Sequence, residues 1–541
     1  MKFKVIVFLF ASFFLLNINL GSWGVTETSE ARYAEISKEM LESGDFIHPT
    51  LMGIAHYHKP PLTYYITTLG YKIFGVNEYG ARFFLQVAII IQLLLIYQIA
   101  LLLFKDETIA FSAMLIYFSL PLVLISSRNL TTDAYLNTSV LAAIYFWLSY
   151  RLKKFKTHYI YLFFLMLGIS FEIKGPIGFI FVFVFILSYY FVSKQRMRLS
   201  IHHLFGFLCF LAVAFSWYLI ILQERPLLWD YFFENQLVKR AISQSYHRGK
   251  PFWFYLLIVP LIALPWFPFL VHQSIKKFKH LRKEKSWDYI LLLTITITLL
   301  IFSIFKTKLI LYVIPSFGFI ALLSAQLISK VELKTQNIYN KVILTIAFII
   351  STSIIAVSLI GHDFNFNSFL ALAIAVISAL AFFILNKKHY SKSYLRTIWL
   401  GYAFGCLILI VGNDFLIQNQ ANLKSTKPVM AFIAKELKDT QTIFAYNYLL
   451  PSAEFYSDKK IVTLNNGHNT VQRENQFESD DHWKPYNLDI QTEDGIKQAL
   501  EGVKTNAVLI VRKKIDIRRS HNNLVENFKH TKDFGVWRIY Y

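Results

Sequence analysis

The sequence predicts an all-α polytopic membrane protein of about thirteen transmembrane helices, followed by a small α/β extracytoplasmic domain. Three observations predict this. Apolar residues make up 55% of the 541 positions and charged residues only 16%, with a mean hydropathy of +0.44, far more apolar surface than a soluble chain of this length requires. The apolar residues come in runs of roughly 20, the length that crosses a hydrocarbon core. After residue 418 those runs stop and short alternating segments take over.

Taken in order, the apolar runs place spanning helices near 3–21, 82–104, 108–126, 134–150, 158–172, 176–193, 200–222, 252–272, 287–305, 309–329, 341–360, 366–385 and 396–418. The first run follows Lys2 and Lys4 and has no small-residue cleavage site after it, so it reads as a retained helix rather than a signal peptide. The formal net charge of +21 is held in short clusters between the runs. Arg151 to Lys156, Lys194 to Arg198, Lys276 to Lys285 and Lys387 to Arg396 all fall on the side of Lys2 and Lys4 when the spans alternate. That bias places the N-terminus in the cytoplasm and the tail outside, and it assigns the charge to anionic lipid rather than to nucleic acid. Two domains result: residues 1–418 form the membrane domain, with a long external loop at 22–81, and residues 419–541 form the external domain. In the tail, Thr442–Tyr446, Lys460–Leu464, Ala507–Val511 and Val536–Tyr540 alternate as strands, and Pro428–Leu437 and Gly495–Leu500 as helices. Cys209 and Cys406 both lie in apolar runs, which excludes a disulfide framework. No glycine-rich nucleotide-binding loop is present.

The external loop holds most of the candidate chemistry. In Glu27-Thr28-Ser29-Glu30-Ala31-Arg32-Tyr33-Ala34-Glu35-Ile36, the apolar residues mark one side of an amphipathic helix suited to the membrane interface. Glu35, Lys38 and Glu39 read as ordinary surface pairs, whereas Glu27 and Glu30 follow the first span closely enough to face a cavity at membrane level. Lys59 stands before Pro60-Pro61, which fix an extended entry to a second interfacial helix. His56 and His58 have no carboxylate in register, so no metal is assigned to them from sequence.

The run Glu30 to Ile36, with Ser43-Gly44-Asp45 and Lys59-Pro60-Pro61, resembles the first external loop of the bacterial GT-C glycosyltransferases. These are relatives of the dolichyl-phosphate-mannose–protein mannosyltransferases and the lipid A aminoarabinose transferases. The resemblance extends through the membrane region. Asp133 is similar to the second-loop acid, Lys174-Gly175-Pro176 to a Lys-Gly-Pro segment, Arg248-Gly249-Lys250-Pro251 to the entry of a later span, and Lys306-Thr307-Lys308-Leu309 with Tyr312 to a Lys-Thr-Lys-Leu segment. It implies the GT-C fold and transfer of a sugar from a polyprenyl-phosphate donor to a glycolipid (lipid A-like) or protein hydroxyl at the outer face of a bacterial inner membrane. Ser29 stands where that family usually has aspartate, which leaves both Glu30 and Glu27 as the candidate carboxylate. His58 stands where the aminoarabinose transferases have glutamate, which sets this chain apart from their metal site and substrate.

These residue types suit the reaction. A carboxylate must take the acceptor's proton, negative charge steadies an oxocarbenium-like transition state, and cations must hold the leaving phosphate. Glu30, Glu27 and Asp133 are the expected acids. Arg32, Lys59, Arg82, Lys174, Arg248, Lys250, Lys306, Lys308 and Tyr312 are expected to bind the donor phosphate and carrier, all on the outer face. The sequence assigns no cofactor, and a divalent metal ion is compatible with the chemistry. A transporter or flippase of lipid-linked saccharides is the alternative, since it too places charged residues at membrane level.

Overall fold

The computed structural model describes residues 2–541 except 154–155, 227, 233–248, 361–363, 368, 371, 374–375, 378–379, 381–393, 460, 468, 479–480 and 482. Among the described residues, five helices are long and apolar enough to cross a membrane: Glu78–Phe104, Trp287–Ile304, Ile310–Ser329, Leu333–Ser358 and Leu395–Gln418. Two bent pairs raise this to seven if each is one span. Ile201–Ala214 and Ser216–Glu224 meet at 48°, and Phe254–Ile262 and Trp266–Glu284 at 112°. Much of the expected 366–385 span lies outside the described residues.

The breaks follow from the residues. The run expected at 108–126 is two helices, Glu107–Ser119 and Pro121–Ser126, because Pro121 has no N–H to continue the ladder. Pro265 likewise ends the turn at 263–265, just before the helix that starts at Trp266. Asp106 caps Glu107–Ser119, its carboxylate accepting from Thr108 and Ile109 N–H at 2.7 and 3.0 Å. Thr131 caps Thr132–Leu152, which sets Asp133 in the first turn. The neighbouring helix His158–Lys174 ends on Lys174 because Gly175 takes a positive φ of 73° and Pro176 follows. An acid at one helix start and a cation at the next helix end are where the helix dipoles favour them.

The chain divides into two compact units. One comprises residues 1–18, 85–356 and 368–411, and the other residues 19–84, 357–367 and 412–541. The second unit carries a two-stranded ribbon, β1 (Thr50–Leu51) and β2 (Ile54–Ala55). It also carries β3 (Thr442–Tyr446), β4 (Ile461–Asn465), β5 (Asn487–Asp489), β6 (Ala507–Arg512), β7 (Thr531–Phe534) and β8 (Trp537–Tyr540). These six form one sheet in the order β5-β4-β3-β6-β8-β7. Its first four strands are parallel, and β8 and β7 are antiparallel additions. The loop shares this sheet's core: Ile36, Met40, Leu51, Ile54 and Tyr64 pack in one cluster with Val429, Ile433, Ile443, Val508 and Ile510. Each such buried side chain contributes about 1.5–3 kcal/mol, so residues 29–64 are built into the tail's core.

Candidate active site

In the loop-and-tail unit the two candidate glutamates have different environments. Glu30 opens the helix Ser29–Ser43 and forms a forked ion pair with Arg82, at 2.8 Å to Nε and 3.1 Å to Nη2. Thr26 N–H also donates to it at 3.0 Å. Arg82 is fully buried and donates its remaining hydrogens to the carbonyls of Leu20, Trp23 and Gly24, while its guanidinium stacks 4.4 Å from the Trp23 ring. Glu30 and Arg82 therefore fasten the base of the loop. Removing one partner of such a pair costs about 3–5 kcal/mol.

Glu27 is poised differently. Its Oε1 accepts the Ser452 N–H at 2.8 Å, and its Oε2 is buried and accepts no hydrogen bond. Burial pushes its pKa up to about 7, against the pull of Ser452 and the positive charges of Arg32 and Arg512. Arg512 ends β6 and lies 3.7 Å above the ring of Tyr448, which follows β3. The carboxylate thus sits beside the carboxyl ends of β3 and β6, where an open parallel sheet places its ligand crevice.

Next to it, Arg32 lies 3.9 Å from Glu474. Glu474 is 2.8 Å from His56 Nδ1 and 3.1 Å from His58 Nε2, and Arg473 holds its other oxygen at 2.8 Å. His56, His58 and Glu474 are all buried. Burial pushes both imidazoles down, so they are neutral at pH 7. Glu474 stays ionised, because the facing histidines and Arg32 outweigh the cost of burying its charge. Lys59 follows His58, partly exposed, just before the helix Leu62–Phe74.

In the helical unit, Asp133 and Lys174 are paired at 2.5 Å, and the Lys174 ammonium lies 4.7 Å from the Tyr312 ring. Lys308 is buried and donates to the carbonyl of Lys250 at 3.0 Å and to that of Phe305. The Lys250 N–H donates to the Lys306 carbonyl at 3.2 Å. Lys308 therefore pins two segments together, leaving the side chains of Lys250 and Lys306 exposed. Arg248 lies outside the described residues.

Ser452, Tyr448, Glu474, Arg473 and Arg512 were not foreseen. Each lies about 400 residues or more from its loop partner, and Arg473-Glu474 in the short helix Asn469–Asn475 reads locally as a solvated charge pair. A run of charged residues in the tail flanked by strand ends was the one available signal.

Residues 58–218 match the family model described as dolichyl-phosphate-mannose-protein mannosyltransferase. A relative from Photorhabdus laumondii, named undecaprenyl phosphate-alpha-4-amino-4-deoxy-L-arabinose arabinosyl transferase, is 31% identical over 60% of this chain and 59% of its own length. One from Wigglesworthia glossinidia brevipalpis with the same name is 28% identical over 85% and 83%. These matches make the chain similar to the GT-C superfamily. Its fold is that of ArnT from Cupriavidus metallidurans, whose structure bound to undecaprenyl phosphate superposes with a TM-score of 0.77 at 17% identity, over 100% of this chain and 98% of that one. In the Photorhabdus comparison and in one with Proteus mirabilis, the chain spans 59% of the relative's length.

Proposed function

We propose that this GT-C protein is a glycosyltransferase of the outer face of a bacterial inner membrane. It moves a sugar from a polyprenyl-phosphate carrier to a hydroxyl of a glycolipid, lipid A-like, or of a protein. The names of the relatives make a 4-amino-4-deoxy-L-arabinose donor on undecaprenyl phosphate the first to test, with lipid A as the first acceptor. The observation that carries the reading is Glu27: a buried carboxylate with one open oxygen, held near pKa 7 between Arg32 and Arg512.

Glu27 is the proton acceptor in this reading, and Glu30 is the group that keeps the loop in place. A base with a pKa near the working pH combines the ionised form with useful basicity. As the acceptor oxygen attacks the anomeric carbon, the bond from that carbon to the phosphate oxygen breaks and the acceptor's proton passes to Glu27. Arg32 and Lys59 supply positive charge for the departing phosphate. In the helical unit, Lys174, paired with Asp133, is by itself a cation suited to a polyprenyl phosphate. The chain crosses the membrane about thirteen times, with residues 1–418 as the catalytic membrane domain, the N-terminus in the cytoplasm and residues 419–541 in the periplasm. The decisive experiment gives the purified chain a defined undecaprenyl-phosphate sugar and lipid A, and follows transfer by mass spectrometry. Movement of the intact carrier across a vesicle without sugar transfer would instead support a flippase.

A further inference from the structure

We propose that two buried carboxyl groups, Glu35 of the external loop and Glu454 of the tail, form a proton-held latch whose grip weakens as the medium turns alkaline. The latch joins the helix Ser29–Ser43 to the helix Pro451–Phe455, which pack against each other. The sequence pattern ranks Glu35 with ordinary surface pairs, but in the structure it is 1% exposed. Among the described residues, Oε2 of Glu35 and Oε2 of Glu454 are both buried and accept no hydrogen bond. Burying an oxygen in this way costs far more for a carboxylate than for a neutral carboxyl group.

The surrounding charges add to that cost. One ammonium serves both groups: Lys38 Nζ lies 3.8 Å from Glu35 Oε1 and donates to the Glu454 carbonyl oxygen at 2.9 Å. Glu39 and Glu42, on the same helix as Glu35, set negative charge before both carboxyls, and Glu454 adds its own to Glu35. Glu39 accepts from the Thr50 hydroxyl at 2.5 Å and from the N–H groups of Met52 and Gly53, which favour its ionised form. From the helix Leu62–Phe74, Tyr71 faces Glu35 as a neutral phenol, its hydroxyl donating to the Ala34 carbonyl at 3.0 Å. From β4, the Ile461 N–H is directed at Glu454.

Burial, reinforced by the neighbouring acids, outweighs the single lysine. It pushes Glu35 well above the usual carboxylate range and Glu454 up to about 7. Because the folded state holds these protons more tightly, the contact is strongest at low pH and loses strength as pH rises through about 7 and beyond. The bland alternative is a static contact in which Lys38 keeps both carboxylates ionised and pH changes nothing. The short tail helix also carries Ser452, whose N–H holds Glu27, so the latch reaches the group proposed as the base. That consequence rests on the functional reading above, whereas the latch itself does not.

The test is independent of sugar transfer. The full chain in detergent is followed by hydrogen exchange and mass spectrometry from pH 6 to 9. Peptides from residues 29–43 and 451–455 are compared with one from 507–512, in the middle of the sheet. After correction for the intrinsic pH dependence of amide exchange, wild-type protection at the latch should fall by about tenfold or more relative to the sheet, since each proton lost on opening contributes about tenfold per pH unit above the folded-state pKa. Glu35→Gln and Glu454→Gln should each flatten the fall. Glu27→Gln should keep it, which separates the latch from the base. Wild-type protection that stays level from pH 6 to 9 overturns the proposal without any variant, so a misfolded mutant leaves the test intact. A fall that persists unchanged in both latch variants, or that only Glu27→Gln removes, overturns it as well.

Discussion

Replacing Glu27 with glutamine keeps the shape and removes the charge, so it separates the stability cost of the buried carboxylate from the proton-accepting role proposed for it. The rise in its pKa from 4.5 to about 7 means that ionising it in the folded chain costs about 3 kcal/mol relative to the unfolded chain. The sign follows from the direction of the shift. The folded state holds its proton more tightly, so the penalty is complete above about pH 7 and fades as pH falls towards 4.5. Glu27→Gln should therefore melt higher than wild type at pH 8 and nearly level with it at pH 5. Transfer should move the other way. A base of pKa about 7 is about 9% ionised at pH 6 and about 91% at pH 8, so wild-type turnover should rise roughly tenfold across that interval. Glu27→Gln should lose about 10²–10⁴-fold at pH 8. Arg512→Ala removes one of the charges that oppose the upward shift and should move the wild-type profile to higher pH. The assay is initial rate of sugar transfer against pH in detergent, with melting followed by tryptophan fluorescence. A flat wild-type profile from pH 6 to 8, or wild-type turnover in Glu27→Gln, would refute the assignment.

Arg82→Ala should destabilise the chain by about 3–5 kcal/mol, because it strands the buried Glu30 carboxylate. The measurement is a thermal melt together with the yield of monodisperse protein, and a melt within a degree of wild type would show that the pair is not structural. Asp133→Asn removes the negative partner of Lys174 and should raise the KM for the polyprenyl-phosphate donor severalfold with a smaller change in kcat, read from steady-state kinetics at two donor chain lengths. A cysteine placed at Lys529, an exposed position in the tail, should react with an impermeant maleimide in intact spheroplasts. Labelling only after lysis would reverse the proposed topology.

Several features were legible in sequence because they depend on local pattern. Runs such as 82–104 and 396–418 are apolar on every side, and they fold as the long helices Glu78–Phe104 and Leu395–Gln418. The short, nearly continuous apolar runs at 442–446 and 507–511 are those of buried parallel strands, and both lie in the middle of the sheet. The broken runs at 108–126 and 252–272 were harder to read, because hydropathy is blind to the backbone donor that Pro121 and Pro265 lack. Arg82 was expected to meet the donor phosphate, but three carbonyls and Glu30 use its hydrogens.

By itself the sequence determined that the chain spans a membrane, where its apolar runs lie, and which acids and cations are candidates for chemistry. These properties reside in composition and short-range periodicity. Only the tertiary structure decided what each charged group does. Glu27 and Glu30 are three positions apart and chemically identical, yet one is matched to a guanidinium and the other is left with an open oxygen beside the tail's strand ends. His56 and His58 gain their carboxylate from position 474. The physical reason is that protonation and pairing are set by desolvation and by whichever charges lie within a few ångströms. Glu30 finds Arg82 52 positions on, while the groups that set Glu27, His56 and His58 include Ser452, Arg512 and Glu474, hundreds of positions away.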